Sequence, residues 1–203
     1  MSVVNGEEIS GVILAGGLAR RMGGIEKALV EFHGETLLSQ VIKRIQPQVK
    51  ILYLNVNKKF EQYQAFNLPI LEDDIQGFLG PLAGILTALN KIETDFLLIV
   101  PCDAPFVSLN LTEKLFEEMQ YQNAIGAVVH DGERLQPTFL LLHKQLRNDL
   151  ETYLQNGNRS IEQWLEKHFI AKVDFSSQAS DFINFNMLSE LDLMATKSVS
   201  SAT

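Results

Sequence analysis

Short apolar runs rich in valine, isoleucine, leucine and phenylalanine recur along this chain, each separated from the next by a segment whose apolar residues follow a helical period. That alternation points to strands laid mostly parallel with crossover helices, because a parallel strand needs a long connection back to the same edge. Strands are expected from Ile9 to Leu14, Ile51 to Asn55, Pro69 to Glu72 and Phe96 to Val100. The last of these has no polar residue, as suits a strand covered on both faces. Helices are expected from Thr36 to Ile45, Leu82 to Lys91 and Leu111 to Tyr121, the last with Asn110 as N-cap and Glu113 three residues on.

The second half is less regular. Ala124 to Val129 and Thr138 to Leu142 read as strands joined by a polar connection around Asp131-Gly132-Glu133-Arg134, which predicts an antiparallel or mixed edge. Helices fit Lys144 to Leu154 and Ile161 to Phe169, with a break at Asn156-Gly157-Asn158 and Ser160 or Arg159 near the second start. Phe182 to Phe185 reads as a late strand and Leu188 to Met194 as a final short helix. The expected organisation is one domain over residues 1–195 and a frayed tail over 196–203, where small polar residues show no pattern.

With 203 residues and 46% hydrophobic content, the chain can fill one core. A net charge of −8 argues against nucleic acid or an anionic membrane surface as a partner, since neither is drawn to an acidic body. One cysteine, Cys102, allows no internal disulfide and fits a reducing compartment. No leader-like segment or spanning apolar run is present, so cytoplasm is the expected location.

The first strand runs straight into Gly16-Gly17-Leu18-Ala19-Arg20-Arg21-Met22-Gly23-Gly24-Ile25-Glu26-Lys27. Glycines let backbone amides approach anionic oxygens, and Arg21 and Lys27 supply the charge that amides lack. The loop carries neither the Gly-Lys-Ser/Thr of P-loop NTPases nor the three-glycine dinucleotide fingerprint, which leaves another kind of nucleotide loop. In open α/β sheets ligands bind beyond the carboxyl ends of strands. Here those positions are Asn55 and Asn57, then Asp73 and Asp74, then Asp103. Asp103, in Pro101-Cys102-Asp103-Ala104-Pro105, is a carboxylate on a stiffened turn and suits Mg²⁺, a hard ion that takes one or two protein carboxylates beside substrate phosphates. A solvated or turn-capping acid is the plainer alternative. Asp73 or Asp74 could accept from a ribose hydroxyl or from the N–H edge of guanine, or simply open an acidic loop.

Gly80-Pro81-Leu82-Ala83-Gly84 opens a helix with bare backbone towards that edge, or serves close helix packing at Gly84. Arg159, Asn184 and Asn186 are fainter signals of a second pocket. The four histidines have no ligand spacing, and Cys102 has no activating base in sequence.

These residues together, in order and nearly end to end, resemble the molybdenum cofactor guanylyltransferases, nucleotidyltransferases with a Rossmann-like three-layer fold. The resemblance rests on Leu14-Ala15-Gly16-Gly17 through Lys27, Asn55-Val56-Asn57, Glu72-Asp73, Gly80-Pro81-Leu82-Ala83-Gly84 and Pro101-Cys102-Asp103. It extends through His130-Asp131-Gly132-Glu133-Arg134 with Pro137-Thr138 to Asn184-Phe185-Asn186. It implies transfer of GMP from GTP to the terminal phosphate of the molybdenum-loaded pterin cofactor, with Mg²⁺ required and pyrophosphate released. By the same resemblance Leu14, Ala15, Gly16, Lys27, Asn55, Asp73 and Asp103 contact GTP, and Asp103 also holds the metal. Arg21 joins Lys27 and Asp103 in catalysis, while Gly17, Gly84, Asn184 and Asn186 fall at turnover or cofactor-side positions.

Two departures are visible: Arg159-Ser160 stands where some members carry paired arginines, and Glu26 where aspartate is frequent. The family further implies transient contact with cofactor-delivering and molybdoenzyme-associated proteins. Two other readings are a CTP- or GTP-dependent transferase acting on another phosphorylated acceptor, and a nucleotide-binding regulator without turnover. Lys27, Arg21 and Asp103 together speak against the regulator.

Overall fold

The computed structural model describes residues 8–16, 26–74 and 80–185. A seven-stranded sheet runs through them. Its first strand is β1 (Ile9–Leu14); a small hairpin, β2 (Glu31–Phe32) and β3 (Glu35–Thr36), then precedes helix α1 (Leu37–Ile45). After β4 (Ile51–Asn55) come the short helix α2 (Phe60–Tyr63), strand β5 (Ile70–Leu71) and helix α3 (Pro81–Lys91). Strand β6 (Phe96–Pro101) leads to α4 (Leu111–Gln122), and β7 (Gly126–His130) turns into β8 (Leu135–His143). Helices α5 (Arg147–Gln155) and α6 (Ile161–Leu165) complete the helical set before β9 (Ile170–Asp174).

The sheet order is β5-β4-β1-β6-β8-β7-β9. Strands β5, β4, β1 and β6 are parallel, β8 is antiparallel to both neighbours, and β9 is parallel to β7, which is the mostly parallel sheet with a mixed edge expected from sequence. Leu14 lies opposite Asn55 on one side and Pro101 on the other, so the three central strands end level.

The apolar runs read as they do because both faces are covered. In β6, Phe96, Leu98 and Val100 enter one core with Val41 of α1 and Leu115 of α4. Leu97 and Ile99 enter the other with Leu82 of α3 and Leu150 of α5. Side chains alternate between faces with period two, so a strand between two helix layers must be apolar throughout.

Several expectations are corrected. The third strand is two residues rather than four, because β5 pairs only along the end of β4. Asn110 does not cap α4: its Oδ1 accepts from Ser108 Oγ at 2.7 Å, and Gln48 Oε1 takes the Thr112 amide at 3.0 Å instead. The stretch from Lys144 begins as a 3-10 turn (Lys144–Leu146) before α5. Helix α6 stops at Leu165 rather than Phe169, and Ile170–Asp174, to which the sequence assigned no element, is a strand.

Ser160, not Arg159, caps α6, accepting from Gln163 N at 3.2 Å, while Arg159 Nη1 donates to Leu154 O at 2.8 Å near the end of α5. Phe182 to Phe185 is not a strand. Ser176–Phe182 is 3-10 with a kink at Gln178, Phe182 packs edge-on to Phe139 and Phe175, and Phe185 lies tilted against Phe32 and edge-on to Phe106. The hairpin β2–β3 turns through His33 (φ 54°) and Gly34 (φ 79°), a two-residue left-handed turn that suits a tight hairpin. The expected helix at 188–194 and the tail at 196–203 lie outside the described residues. Among the described residues no helix is long and apolar enough to cross a membrane.

Candidate active site

Because β5, β4, β1 and β6 run parallel, the residues that follow them emerge at one edge of the sheet. The register locks that edge: Ala15 N donates to Asn55 O at 2.9 Å, Val56 N to Leu71 O at 2.9 Å, and Cys102 N to Leu14 O at 3.2 Å. Gly16, Asn55, Asn57, Asp73 and Asp103 therefore line one sheet edge although sequence spreads them over nearly ninety positions.

At the β6 end, Asp103 accepts an ion-pair hydrogen bond from Lys27, Nζ to Oδ2 at 2.6 Å. The Lys27 side chain is 26% exposed and that of Asp103 12%, so the pair sits at a mouth rather than in the core. Lys27 opens a 3-10 turn (Lys27–Leu29) and is anchored through its neighbour. Glu26 Oε2 accepts from the buried Tyr63 hydroxyl at 3.2 Å, and Glu26 Oε1 pairs with Lys59 Nζ at 3.0 Å. Burial and then the Glu26 charge push the Tyr63 phenol above its usual range, so it stays a hydrogen-bond donor. Cys102, next to Asp103, is buried. Burial, reinforced by the Asp103 carboxylate, pushes its thiol well up, and a protonated thiol is no nucleophile.

At the other end an amide clamp holds Asp73. Asn55 Nδ2 donates to Asp73 Oδ1 at 2.8 Å and Asn57 Nδ2 to Oδ2 at 2.7 Å, while Asn57 Oδ1 accepts from Asp73 N at 2.9 Å. Asp74 is tied down through its amide, which donates to Thr87 Oγ1 of α3 at 3.0 Å. The clamp needs two glycines. A Cβ on Gly16 would lie 2.6 Å from Asn57 Nδ2, and one on Gly84 would lie 2.4 Å from Asn55 Oδ1. Gly84 is buried in α3, so close packing against Asn55 is its visible contact. Asn184 is carried towards the Asp103 side by the next residue, Phe185, whose amide donates to Asp103 O at 3.0 Å.

Leu14, Ala15, Gly16, Lys27, Asn55, Asp73, Gly84, Asp103 and Asn184 are thus gathered around one sheet edge, whereas Gly17, Arg21 and Asn186 lie outside the described residues. Sequence reasoning noticed Asn57 at its strand end but gave it no task. It named Glu26 only as a departure from the family pattern and missed Tyr63 and Thr87, whose partners lie on other elements. The histidines stay apart. Among the described residues no three histidine, cysteine, aspartate or glutamate side chains cluster as a metal site.

Residues 11–173 match the family model described as the MobA-like NTP transferase domain. The protein named molybdenum cofactor guanylyltransferase of Mannheimia succiniciproducens is 45% identical over 184 residues, covering 91% of this chain and 97% of that one. The chain belongs to the molybdenum cofactor guanylyltransferase family. It is a nucleotidyltransferase, and a relative of the same name from Shewanella sp. W3-18-1 is 40% identical over 94% of the chain and 97% of its own length.

Family membership agrees with the solved structures. Molybdopterin-guanine dinucleotide biosynthesis protein A of Archaeoglobus fulgidus superposes with a TM-score of 0.76 at 21% identity, over 96% of this chain and 100% of that one. The 4-diphosphocytidyl-2C-methyl-D-erythritol synthase of Anaerococcus prevotii gives 0.72 at 14%, over 93% and 94%. At such identities the likeness shows the fold, a nucleotidyltransferase α/β sandwich.

Proposed function

We propose that this enzyme transfers GMP from GTP to the terminal phosphate of the molybdenum-bearing pterin cofactor. An acceptor phosphate oxygen attacks the α-phosphorus, a new P–O bond forms, and the bond to the bridging oxygen breaks so that pyrophosphate leaves with the electron pair. The acceptor is already ionised at neutral pH, so no general base is needed. What the protein must do is align two polyanions and neutralise charge at the reacting phosphorus.

The observation that carries this reading is the spacing of two polar stations on one sheet edge: Lys27 with Asp103 at β6, and Asp73 in its amide clamp at β5. Three strand spacings separate β5 from β6, roughly 14 Å at the usual interstrand distance. The ribose is attached directly to the α-phosphate, whereas the base edge is the far end of the nucleotide. With the phosphates at Lys27, that span favours the guanine N–H edge over the ribose at Asp73. In the cleft between them Leu14, Ala15, Gly16 and Asn55 contact the nucleotide.

Asp103 is a hard oxygen ligand at the mouth, and among the described residues no cluster of metal-binding side chains surrounds it, so it would hold Mg²⁺ together with the nucleotide's phosphates. When bound, the ion withdraws charge from the phosphates it touches. Lys27 would add a second cation beside it, while Arg21, outside the described residues, takes its catalytic role from the family resemblance alone. In this reading Gly17, Asn184 and Asn186 take the acceptor side, as the family resemblance implies; the Phe185 N to Asp103 O bond, one residue on from Asn184, supports that role for Asn184.

The direct test is pyrophosphate release by the purified enzyme with the molybdenum-loaded cofactor and each of GTP, CTP, ATP and UTP. Turnover with GTP alone is expected; equal or better turnover with CTP, or turnover only with another phosphorylated acceptor, would replace this reading.

The clamp makes its own prediction. Alanine gains about 1 kcal/mol over glycine in a helix, but overfilling a packed site costs about 1–3 kcal/mol. At Gly84 the added methyl displaces an Asn55 amide already tied to Asp73 and to Leu71 O. Gly84→Ala is expected to lower the melting temperature and to raise KM for GTP severalfold. Thermal unfolding and GTP titration of the rate check both, and an unchanged KM would separate Asn55 from nucleotide binding.

A further inference from the structure

We propose that Asn57 is a positioning residue that aims the Asp73 carboxylate at the guanine edge and so sets the enzyme's base selectivity. The inference rests on the reading of Asp73 as the base contact.

Asp73 follows a strand of only two residues, so regular sheet pairing does little to hold it. Its carboxylate torsion is intrinsically broad. One bond from Asn55 to Oδ1 leaves the group able to swing about that contact. Asn57 removes the freedom twice over, gripping Oδ2 with Nδ2 at 2.7 Å and the Asp73 backbone amide with Oδ1 at 2.9 Å. The result is a closed two-point pair between the ends of β4 and β5.

Asn57 is itself packed against Gly16, just beyond the end of β1. Its amide occupies the space that a Cβ on Gly16 would take, 2.6 Å from Nδ2. Through Asn57 the start of the glycine-rich loop and the base-reading carboxylate share one rigid contact.

An ionised carboxylate offers about four lone-pair sites. With one amide on each oxygen, each retains acceptor capacity, and the two lie side by side. Guanine presents a matching pair of donors, its ring N–H and its exocyclic amino group. Hypoxanthine keeps the ring N–H and lacks the amino group. A carboxylate locked in orientation distinguishes the two bases; one free to rotate does so poorly.

The experiment is calorimetric titration, with Mg²⁺ present, of GTP and inosine triphosphate into the full chain. The proteins are the wild type, Asn57→Ala, Asn57→Ser and Asp73→Asn. Asn57→Ser keeps a short polar side chain without the amide donor and serves if the alanine variant does not fold. The wild type is expected to bind GTP about tenfold more tightly than inosine triphosphate, the worth of one hydrogen bond to a charged group. Both Asn57 variants should bring that ratio close to one, mainly through lost GTP affinity. A residue with a purely structural role would weaken both nucleotides alike and leave the ratio in place. If Asp73→Asn collapses the ratio while both Asn57 variants keep it, the assignment to Asn57 is overturned and the reading of Asp73 stands. If Asp73→Asn keeps the ratio, the base contact itself is overturned, and the role of Asn57 with it.

Discussion

Asp103→Ala is expected to lower dinucleotide formation by at least about a thousandfold, the worth of several kcal/mol of lost charge stabilisation at the reacting phosphates. The chain should still fold. Asp103 sits at a mouth, and its partner Lys27 is partly exposed, so the ammonium left behind can be rehydrated. The backbone contact that docks Phe185, its N to Asp103 O, does not involve the carboxylate. Product assays beside a thermal melt read the two statements separately. A folded Asp103→Ala protein that forms product at a near-normal rate would remove Asp103 from the metal site.

Lys27→Ala is expected to cost about a hundredfold in kcat/KM for GTP, in the range found when a preorganised donor to a developing anion is removed. Its loss also frees Asp103 from a 2.6 Å ion pair. The two side chains therefore act as a unit, and the double variant should be little worse than Asp103→Ala alone. Fully additive losses in the double variant would mean that they serve different steps. An unchanged dependence of rate on GTP concentration in Lys27→Ala would take the lysine away from the nucleotide altogether.

Both side chains stand out in the sequence, and for a physical reason. Parallel strands deliver their following residues to a common edge, so the ends of β1, β4, β5 and β6 could be grouped from their apolar runs alone. The uniformly apolar β6 marked the strand with a helix layer on each face. Strand β9 was hidden because Ile170–Asp174 follows an apolar helical pattern directly and alternates like an edge strand. Phe182 and Phe185 read as strand because aromatic plugs and strands use the same residues; only their ring partners distinguish them. The cap of α4 escaped because its acceptor, Gln48, lies on another element, whereas Asn110 was merely nearest in sequence.

Period and composition, acting over a few residues at a time, were enough to determine the mostly parallel sheet, the glycine that follows β1 and the acids at the strand ends. Which acid meets which partner was left to the tertiary structure. Only the packed sheet brings Lys27 onto Asp103 and closes Asn57 on Asp73, and only helix packing against β4 gives Gly84 its reason for having no side chain. Those contacts depend on distances set by strand spacing and helix seating, which no short stretch of sequence contains.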